Sequence, residues 1–274
     1  MWRRFSSKRL LKVIASGIGF SSLGLGGILF SLIGIPLLHL LPGDRQRLHR
    51  RARWCIFRYF RALGRFMEWA GIIKLRAEGL PQREQLDGML ILATHPGYLD
   101  VVVLLSLFDQ LTCIVKGGIW NNPLFGRVVQ AAGYIPAIDP LLVLQEGAQA
   151  LGRGETLLLF PEGTRTQPGE PYHFHRGAAH LALQAHARIL PIMITCEPPL
   201  LAKGHRWYDM PQDPCDYHIR AVTALDLPWP GLAELPPAQA ARDVTAWLED
   251  RFNQETHDSG DHAAGHEAVH RQDP

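Results

Sequence analysis

Met89-Leu90-Ile91-Leu92-Ala93-Thr94-His95-Pro96-Gly97-Tyr98-Leu99-Asp100 is the stretch from which the fold is read. A short unbroken apolar run, too brief for a buried helix, reads as a strand over 89–93. The Pro-Gly pair then ends the strand, and an apolar helix is expected over 99–108. The same alternation continues on the C-terminal side, with strands expected over 112–115, 156–160, 189–195 and 219–225. Helices are expected over 124–132, 142–152, 177–187 and 237–253. The fold class is therefore α/β, a mixed sheet covered by helices, over residues 79–254.

Upstream the pattern is different. From Val13 to Leu41 there is no Asp, Glu, Lys or Arg, and the run is long enough to cross a hydrocarbon core of about 30 Å. It reads as a membrane helix or, given its glycines and Pro36, as a re-entrant hairpin. A cleaved signal peptide is disfavoured, because the run is too long and continues into a basic stretch without a cleavage site. Arg3, Arg4, Lys8, Arg9 and Lys12 precede it, and Arg45, Arg47, Arg50, Arg51 and Arg53 follow it, a weak signal for orientation. Over 48–73, Ile56, Phe60, Leu63 and Met67 recur at helical spacing opposite Arg58, Arg61 and Arg65. This basic amphipathic helix would pack on the domain or lie on anionic lipid. Residues 1–78 thus read as a membrane anchor with its amphipathic helix, and 255–274, polar and His-rich, as a disordered tail.

Composition excludes several classes. The formal net charge of +2 over 274 residues is too small to argue for nucleic acid. The four cysteines, Cys55, Cys113, Cys196 and Cys215, form no C-x-x-C pair and no disulfide framework. His173 and His175 make an H-x-H pair, but no Cys or carboxylate beside them completes a metal site, so none is expected. No G-x-S-x-G is present, which argues against a serine lipase or esterase.

Two strand ends carry chemistry. A histidine just past a buried strand can accept a proton from a hydroxyl near neutral pH, and Asp100 could fold back to hold its other ring nitrogen. Taken alone, the spacing is a weak signal and favours a structural histidine. At the second strand end, Phe160-Pro161-Glu162-Gly163-Thr164-Arg165 turns through glycine and places an acid and an arginine where they could face one pocket. Arg176, in Phe174-His175-Arg176-Gly177-Ala178, stands just before a helix start.

Together these residues resemble the glycerolipid acyltransferase family, which includes the bacterial 1-acylglycerol-3-phosphate acyltransferases. Its H-x4-D block is matched by His95 and Asp100, and its F-P-E-G-T-R block in full by residues 160–165. An intervening block resembles Lys116 and Asn122-Pro123-Leu124-Phe125-Gly126 through Gly133-Tyr134-Ile135-Pro136, and a last one Leu190-Pro191-Ile192-Met193-Ile194. The resemblance implies an enzyme of phospholipid biosynthesis that moves a fatty acyl group from acyl carrier protein or acyl-CoA to a lyso-glycerolipid hydroxyl, foremost 1-acylglycerol-3-phosphate. No cofactor is implied beyond that co-substrate. His95 would be the base and Asp100 its orienting partner, with backbone N–H groups near Gly163 and Lys116 at the oxyanion. Glu162, Gly163, Thr164, Arg165, Lys116 and Arg176 would serve the acceptor head group. The acyl chain would lie in an apolar groove opening toward the anchor. The implied location is the inner membrane, with the site facing the cytoplasm. One departure stands out: where family members acting on phosphate-bearing acceptors carry an arginine, this chain reads Ile138-Asp139-Pro140. Other acyl acceptors gain weight from it, and an inactive lipid-binding relative is the reading from outside enzymology.

Overall fold

The computed structural model describes residues 7–166, 170–201, 204, 206–227, 229–232 and 234–269. Its helices are α1 (Ser7–Leu29), α2 (Ile35–Leu40), α3 (Arg45–Trp69), α4 (Leu99–Leu107), α5 (Gly117–Trp120), α6 (Gly126–Ala131), α7 (Pro140–Gly152), α8 (Gly177–Ala185), α9 (Trp229–Leu232) and α10 (Pro237–Val269). Its strands are β1 (Ile73–Glu78), β2 (Leu90–Ala93), β3 (Leu111–Lys116), β4 (Ile135–Ala137), β5 (Thr156–Leu159), β6 (Ile189–Glu197) and β7 (Cys215–Ala221).

The strands form one seven-stranded sheet in the order β1-β7-β6-β2-β5-β3-β4. Every neighbouring pair is parallel except β6 with β7. Alternation along the central strand explains the layers. Ile91 and Ala93 enter a core shared with α3 and α4, while Leu90 and Leu92 enter a second core with α8 and α10. The sheet is therefore covered on both faces. Its parallel strands β2, β5 and β3 all end on one edge, the edge on which side chains gather for chemistry in such sheets.

The N-terminal apolar run is one continuous helical rod, α1 and α2 joined by a π-helical turn at Phe30–Gly34. Its glycines do not reverse the chain, so of the two expected forms the structure has the helix. By length and composition Lys8–Leu40 could cross a membrane. It lies along the domain: Lys12 donates to the Gln212 carbonyl at 2.6 Å, Ser16 to that of Trp207 at 2.8 Å, and Ser22 shares a 2.9 Å hydrogen bond with the Tyr59 hydroxyl. Gly27 allows one close approach, since a Cβ there would stand 2.7 Å from the Leu124 carbonyl oxygen. The opposite face leaves Leu10, Leu11, Ile14, Ile18, Leu25, Leu29 and Leu32 uncovered, an apolar stripe of the kind that a lipid or protein surface normally covers.

The chain turns back at 41–44, where Asp44 caps α3 by accepting from the Arg47 N–H at 2.8 Å. The α3 stripe divides as its spacing predicts, with Ile56, Leu63 and Met67 buried and Arg58, Arg61 and Arg65 exposed. Arg53 differs from the flanking cations with which it was grouped. It is buried, donates to the Ala132 carbonyl at 2.7 Å and pairs with Glu155 at 2.6 Å.

Two boundaries are corrected. The amphipathic helix ends at Trp69, short of 73, and the segment Ile73-Lys74-Leu75-Arg76-Ala77-Glu78 is an edge strand paired with β7. Its period of two, apolar then charged, suits an edge strand, so the sheet begins before residue 79. At the other end α10 continues from Pro237 to Val269, into the segment expected to be disordered, and residues 270–274 lie outside the described residues. Arg220 holds that extension, bonding the Glu255 carboxylate at 2.9 Å and its carbonyl at 3.0 Å. The final strand also runs four residues earlier than expected, Cys215–Ala221 rather than 219–225, with Leu225 making only an isolated bridge to Ile189.

Candidate active site

His95 leaves β2 on the shared edge and Asp100 lies in the first turn of α4, so one strand-to-helix junction positions both. The His95 Nδ1 and Asp100 Oδ2 stand 2.6 Å apart. The Gly97 N–H donates to the same carboxylate oxygen at 2.8 Å, and Tyr217 on β7 donates its hydroxyl hydrogen to Oδ1. With both oxygens occupied and no exposed surface, Asp100 has one orientation. Burial pushes its carboxyl above the usual carboxylate range, against the pull of His95 and Gly97. The His95 ring stacks on Phe160 with centroids 4.3 Å apart, and Nε2 makes no hydrogen bond among the described residues. A ring held through Nδ1–H by a carboxylate presents a basic nitrogen at Nε2.

The loop after β5 is stapled to this junction. Glu162 accepts from the His95 N–H at 2.9 Å through Oε1 and from the Thr166 hydroxyl through Oε2, while the Thr166 N–H donates to the His95 carbonyl at 3.2 Å. Glu162 is buried, and burial raises its carboxyl despite the Thr166 and His95 donors. This corrects its expected role at the head group: both oxygens are committed within the protein, and Glu162 ties one strand-end loop to the other.

Gly163 has a φ of +65°, and a Cβ there would meet the His175 ring carbon Cδ2 at 2.6 Å. Its own N–H donates to the Phe160 carbonyl at 3.1 Å and is therefore not available to an oxyanion. The neighbouring N–H groups of Thr164 and Arg165 make no hydrogen bond among the described residues.

The Arg165 guanidinium lies 3.7 Å from the centre of the Tyr98 ring and donates to the Leu201 carbonyl at 3.2 Å. It is thereby fixed beside the junction that carries the dyad. Thr164 is exposed on the same loop. Lys116 is exposed at the end of β3, and Arg176 precedes α8. The His175 N–H donates to the Pro161 carbonyl at 2.8 Å, which brings Arg176 next to the 160–165 loop. Among the described residues, none of these three side chains hydrogen-bonds His95 or Asp100. Sequence reading missed Tyr217, Thr166, Tyr98 and Phe160 as parts of the site. Only Tyr98 and Phe160 lie inside the quoted motifs.

This arrangement can take a proton from a hydroxyl at Nε2 and stabilise the resulting imidazolium through a buried carboxylate. It also sets the Arg165 guanidinium beside the junction, on the loop that carries the Thr164 and Arg165 N–H groups. The family model described as Acyltransferase matches residues 74–195. A lyso-ornithine lipid O-acyltransferase of Pseudomonas aeruginosa is 32% identical over 198 residues, 69% of this chain and 67% of that protein. The chloroplastic 1-acyl-sn-glycerol-3-phosphate acyltransferase LPAT1 of Arabidopsis thaliana is 27% identical over 173 residues, and the match spans less than half of that longer protein, 46%. The crystal structure of PlsC from Thermotoga maritima, a 1-acyl-sn-glycerophosphate acyltransferase, has the same fold, with a TM-score of 0.63 at 19% identity over 90% of this chain and 96% of that one.

Proposed function

Because the chain belongs to the acyltransferase family, we propose that it transfers a fatty acyl group from a thioester to the free hydroxyl of a lyso-lipid. The observation that carries this reading is the His95–Asp100 pair at 2.6 Å with Nε2 free. Nε2 takes the proton of the acceptor hydroxyl as its oxygen attacks the thioester carbonyl. The C–O bond forms, the C–S bond breaks, and the imidazolium returns its proton to the departing thiolate. No acyl-enzyme is needed. The N–H groups of Thr164 and Arg165, without a hydrogen bond among the described residues, would be the donors to the negative charge that develops on the carbonyl oxygen. The donor is acyl carrier protein or coenzyme A carrying the chain. The exposed apolar stripe of α1 sits in the membrane from which the acceptor arrives, in a bacterial cell the inner membrane with the site toward the cytoplasm.

For the acceptor, 1-acylglycerol-3-phosphate is supported by the name of the Arabidopsis relative and by Arg165 beside the dyad. A second reading rests on a specific observation. At 138–140 the chain has Ile-Asp-Pro, and Asp139 caps α7 by accepting from the Leu141 N–H at 2.9 Å, so this position offers a carboxylate in place of a cation. A phosphate-free lyso-lipid such as the lyso-ornithine lipid of the Pseudomonas relative's name fits that chemistry. The deciding experiment incubates purified wild-type and His95→Ala protein with labelled acyl-carrier-protein and coenzyme A thioesters and a panel of lyso-lipids, with products identified by mass spectrometry. Ester formation by wild type, lowered about 10²- to 10⁴-fold in a folded His95→Ala protein, is expected. Equal turnover by the two would overturn the assignment.

A further inference from the structure

The apolar rod ends at a cavity that the acyl-transfer reading does not use. The π-helical turn Phe30–Gly34 interrupts the rod just before that end. Such turns inside α-helices recur at functional positions, because one extra residue re-aims the side chains around it. Ser31 lies in this turn. It is only 7% exposed, and its hydroxyl has no hydrogen-bond partner among the described residues. A buried hydroxyl left unpaired is uncommon, since it gives up its hydrogen bonds to water without replacement.

Ser31 lines a cavity of about 600 Å³ between the π-turn, α2, the start of α3 and α6. Ile35, Leu38 and Leu48 give it an apolar wall, while Arg45 from α3 and Arg127 from α6 supply positive charge. Neither guanidinium has an ion-pair partner among the described residues. The lining has a single carboxylate, Asp44, and it is engaged by the Arg47 N–H. A third lining arginine, Arg51, is spent on the turn itself, donating to the Pro42 carbonyl at 2.9 Å. Next to this pocket Leu37, Leu40 and Leu41 are left 56%, 80% and 49% exposed.

The cavity is not part of the dyad's surroundings. Arg53, two turns after Arg45, bonds the Ala132 carbonyl and Glu155, residues that stand just before β4 and β5. The first turns of α3 are therefore at the edge where the parallel strands begin, whereas His95 follows the end of β2. A molecule bound in the cavity is at the opposite strand ends of the sheet from the His95–Asp100 pair.

We propose that this cavity binds one anionic phospholipid that is not a substrate, with its phosphodiester between Arg45 and Arg127 and the Ser31 hydroxyl as a further donor. Two unpaired guanidiniums match a phosphate, and the apolar wall continuing onto exposed leucines matches acyl chains. A free phosphate ion would satisfy the charge and leave those leucines bare. The lipid would fix the end of the rod against the domain, so that the stripe on α1 and the head-group site enter the same leaflet.

The test uses the purified full-length chain in neutral-detergent mixed micelles carrying labelled phosphatidylglycerol or phosphatidylcholine, and reads binding directly. It needs no acyl transfer, so failure of the catalytic assignment leaves it intact. Saturable binding of about one phosphatidylglycerol per chain is expected, weakened about thirtyfold in Arg45→Glu/Arg127→Glu. Ser31→Leu, which fills the cavity without changing charge, should also weaken it, with the melting transition recorded to confirm folding. The control pair Arg58→Glu/Arg61→Glu, on the exposed face of α3, should lose less than about threefold. Three results would overturn the proposal: binding without saturation, an equal loss in the control pair, or complete displacement by millimolar inorganic phosphate, which would make the cavity a free-anion site.

Discussion

Tyr217, on β7, donates a hydrogen bond to Asp100, on the helix after β2, and so joins the sheet's antiparallel pair, β6 with β7, to the junction that carries His95. Tyr217 lies beyond the stretch matched by the family model and has no exposed surface. Its hydroxyl completes a line of three groups, Tyr217 to Asp100 to His95, of which only the last meets substrate in the proposed mechanism.

That line makes Tyr217 a positioning residue. Tyr217→Phe should lower kcat about tenfold with little change in KM, because it removes one donor from a buried carboxylate without touching the binding surface. The lost donor should raise the Asp100 carboxyl further, so Asp100 is neutral over a wider acidic range. The acid limb of the kcat/KM profile then moves to higher pH. A uniform loss of activity at all pH values, tracking a fall in melting temperature, would show that the hydroxyl only supports the fold.

Asp100 itself should trade stability for activity. Its folded-state carboxyl is raised by burial. The stability associated with its protonated form is therefore present below about pH 4 and is lost as pH rises through the higher folded value. Asp100→Asn lacks this titration. The melting temperature of Asp100→Asn minus that of wild type should increase from about pH 4 upward, while acyl transfer falls at least about a hundredfold. A difference that is flat or decreasing with pH would contradict the sign of the shift.

Glu155, at the opposite edge of the sheet, should behave in the reverse sense. Burial pushes its carboxyl up, but Arg53, Thr112 and Arg153 outweigh burial and hold it below the usual range. Its contribution is thus present above the ordinary carboxylate pKa and is lost as pH falls through the lower folded value. Glu155→Gln leaves the buried Arg53 without its counter-charge and should cost about 3–5 kcal/mol at neutral pH in denaturant unfolding. Turnover per folded molecule should be unchanged, because the pair is remote from His95. A cost below about 1 kcal/mol would place the pair with weak surface bridges.

How much of this was legible beforehand follows from sequence distance. His95 and Asp100 are separated by a single strand-to-helix turn, so spacing alone suggested that they meet, and 160–165 announced itself as a second strand end. Tyr217 could not be read from the sequence: it is 117 residues from Asp100, and on the inward face of an alternating strand it looks like any core aromatic. Glu162 was identified but expected at the head group, since a carboxylate at a strand-end turn looks free for a ligand and nothing local discloses that its oxygens meet His95 and Thr166. Arg53 looked like one more solvated cation of a basic flank because its partner Glu155 comes from a distant strand. The strand Ile73–Glu78 was missed because Ile72 and Ile73 continue the helical apolar pattern to 73 and the short charged run that follows, 74–78, carries no strong strand signal of its own.

The glycine of the F-P-E-G-T-R turn gives a steric prediction. Gly163→Ala forces a side chain onto a φ of +65° and into the His175 ring, and should destabilise the protein by about 1–2 kcal/mol while disturbing the N–H groups that follow. Adding His175→Ala should recover the part due to contact and leave the part due to backbone conformation. Full recovery in the double variant, measured by unfolding and by kcat, would show that the positive φ carries no cost of its own.

The acceptor question can be put to Pro140. This residue is the first of α7, exposed, and preceded by Asp139, whose side chain caps the helix. Proline is favoured at that position because the N–H there has no helical partner, and another residue can replace it without breaking a hydrogen bond. Pro140→Arg should therefore fold with a loss below about 1 kcal/mol. It sits after β4, on the same edge as Lys116 and His95, and adds a cation where the chain now presents only the Asp139 carboxylate. Relative kcat/KM from competition between 1-acylglycerol-3-phosphate and a phosphate-free lyso-lipid should shift toward the phosphate-bearing acceptor by about tenfold, the value of one charge-assisted contact. Arg165→Ala should shift the ratio the other way and also lower kcat, since a guanidinium fixed against Tyr98 and Leu201 orients as well as binds. If wild type already prefers 1-acylglycerol-3-phosphate strongly and Pro140→Arg leaves the ratio unchanged, the Ile138-Asp139-Pro140 segment does not face the head group and its departure from the family pattern says nothing about the acceptor.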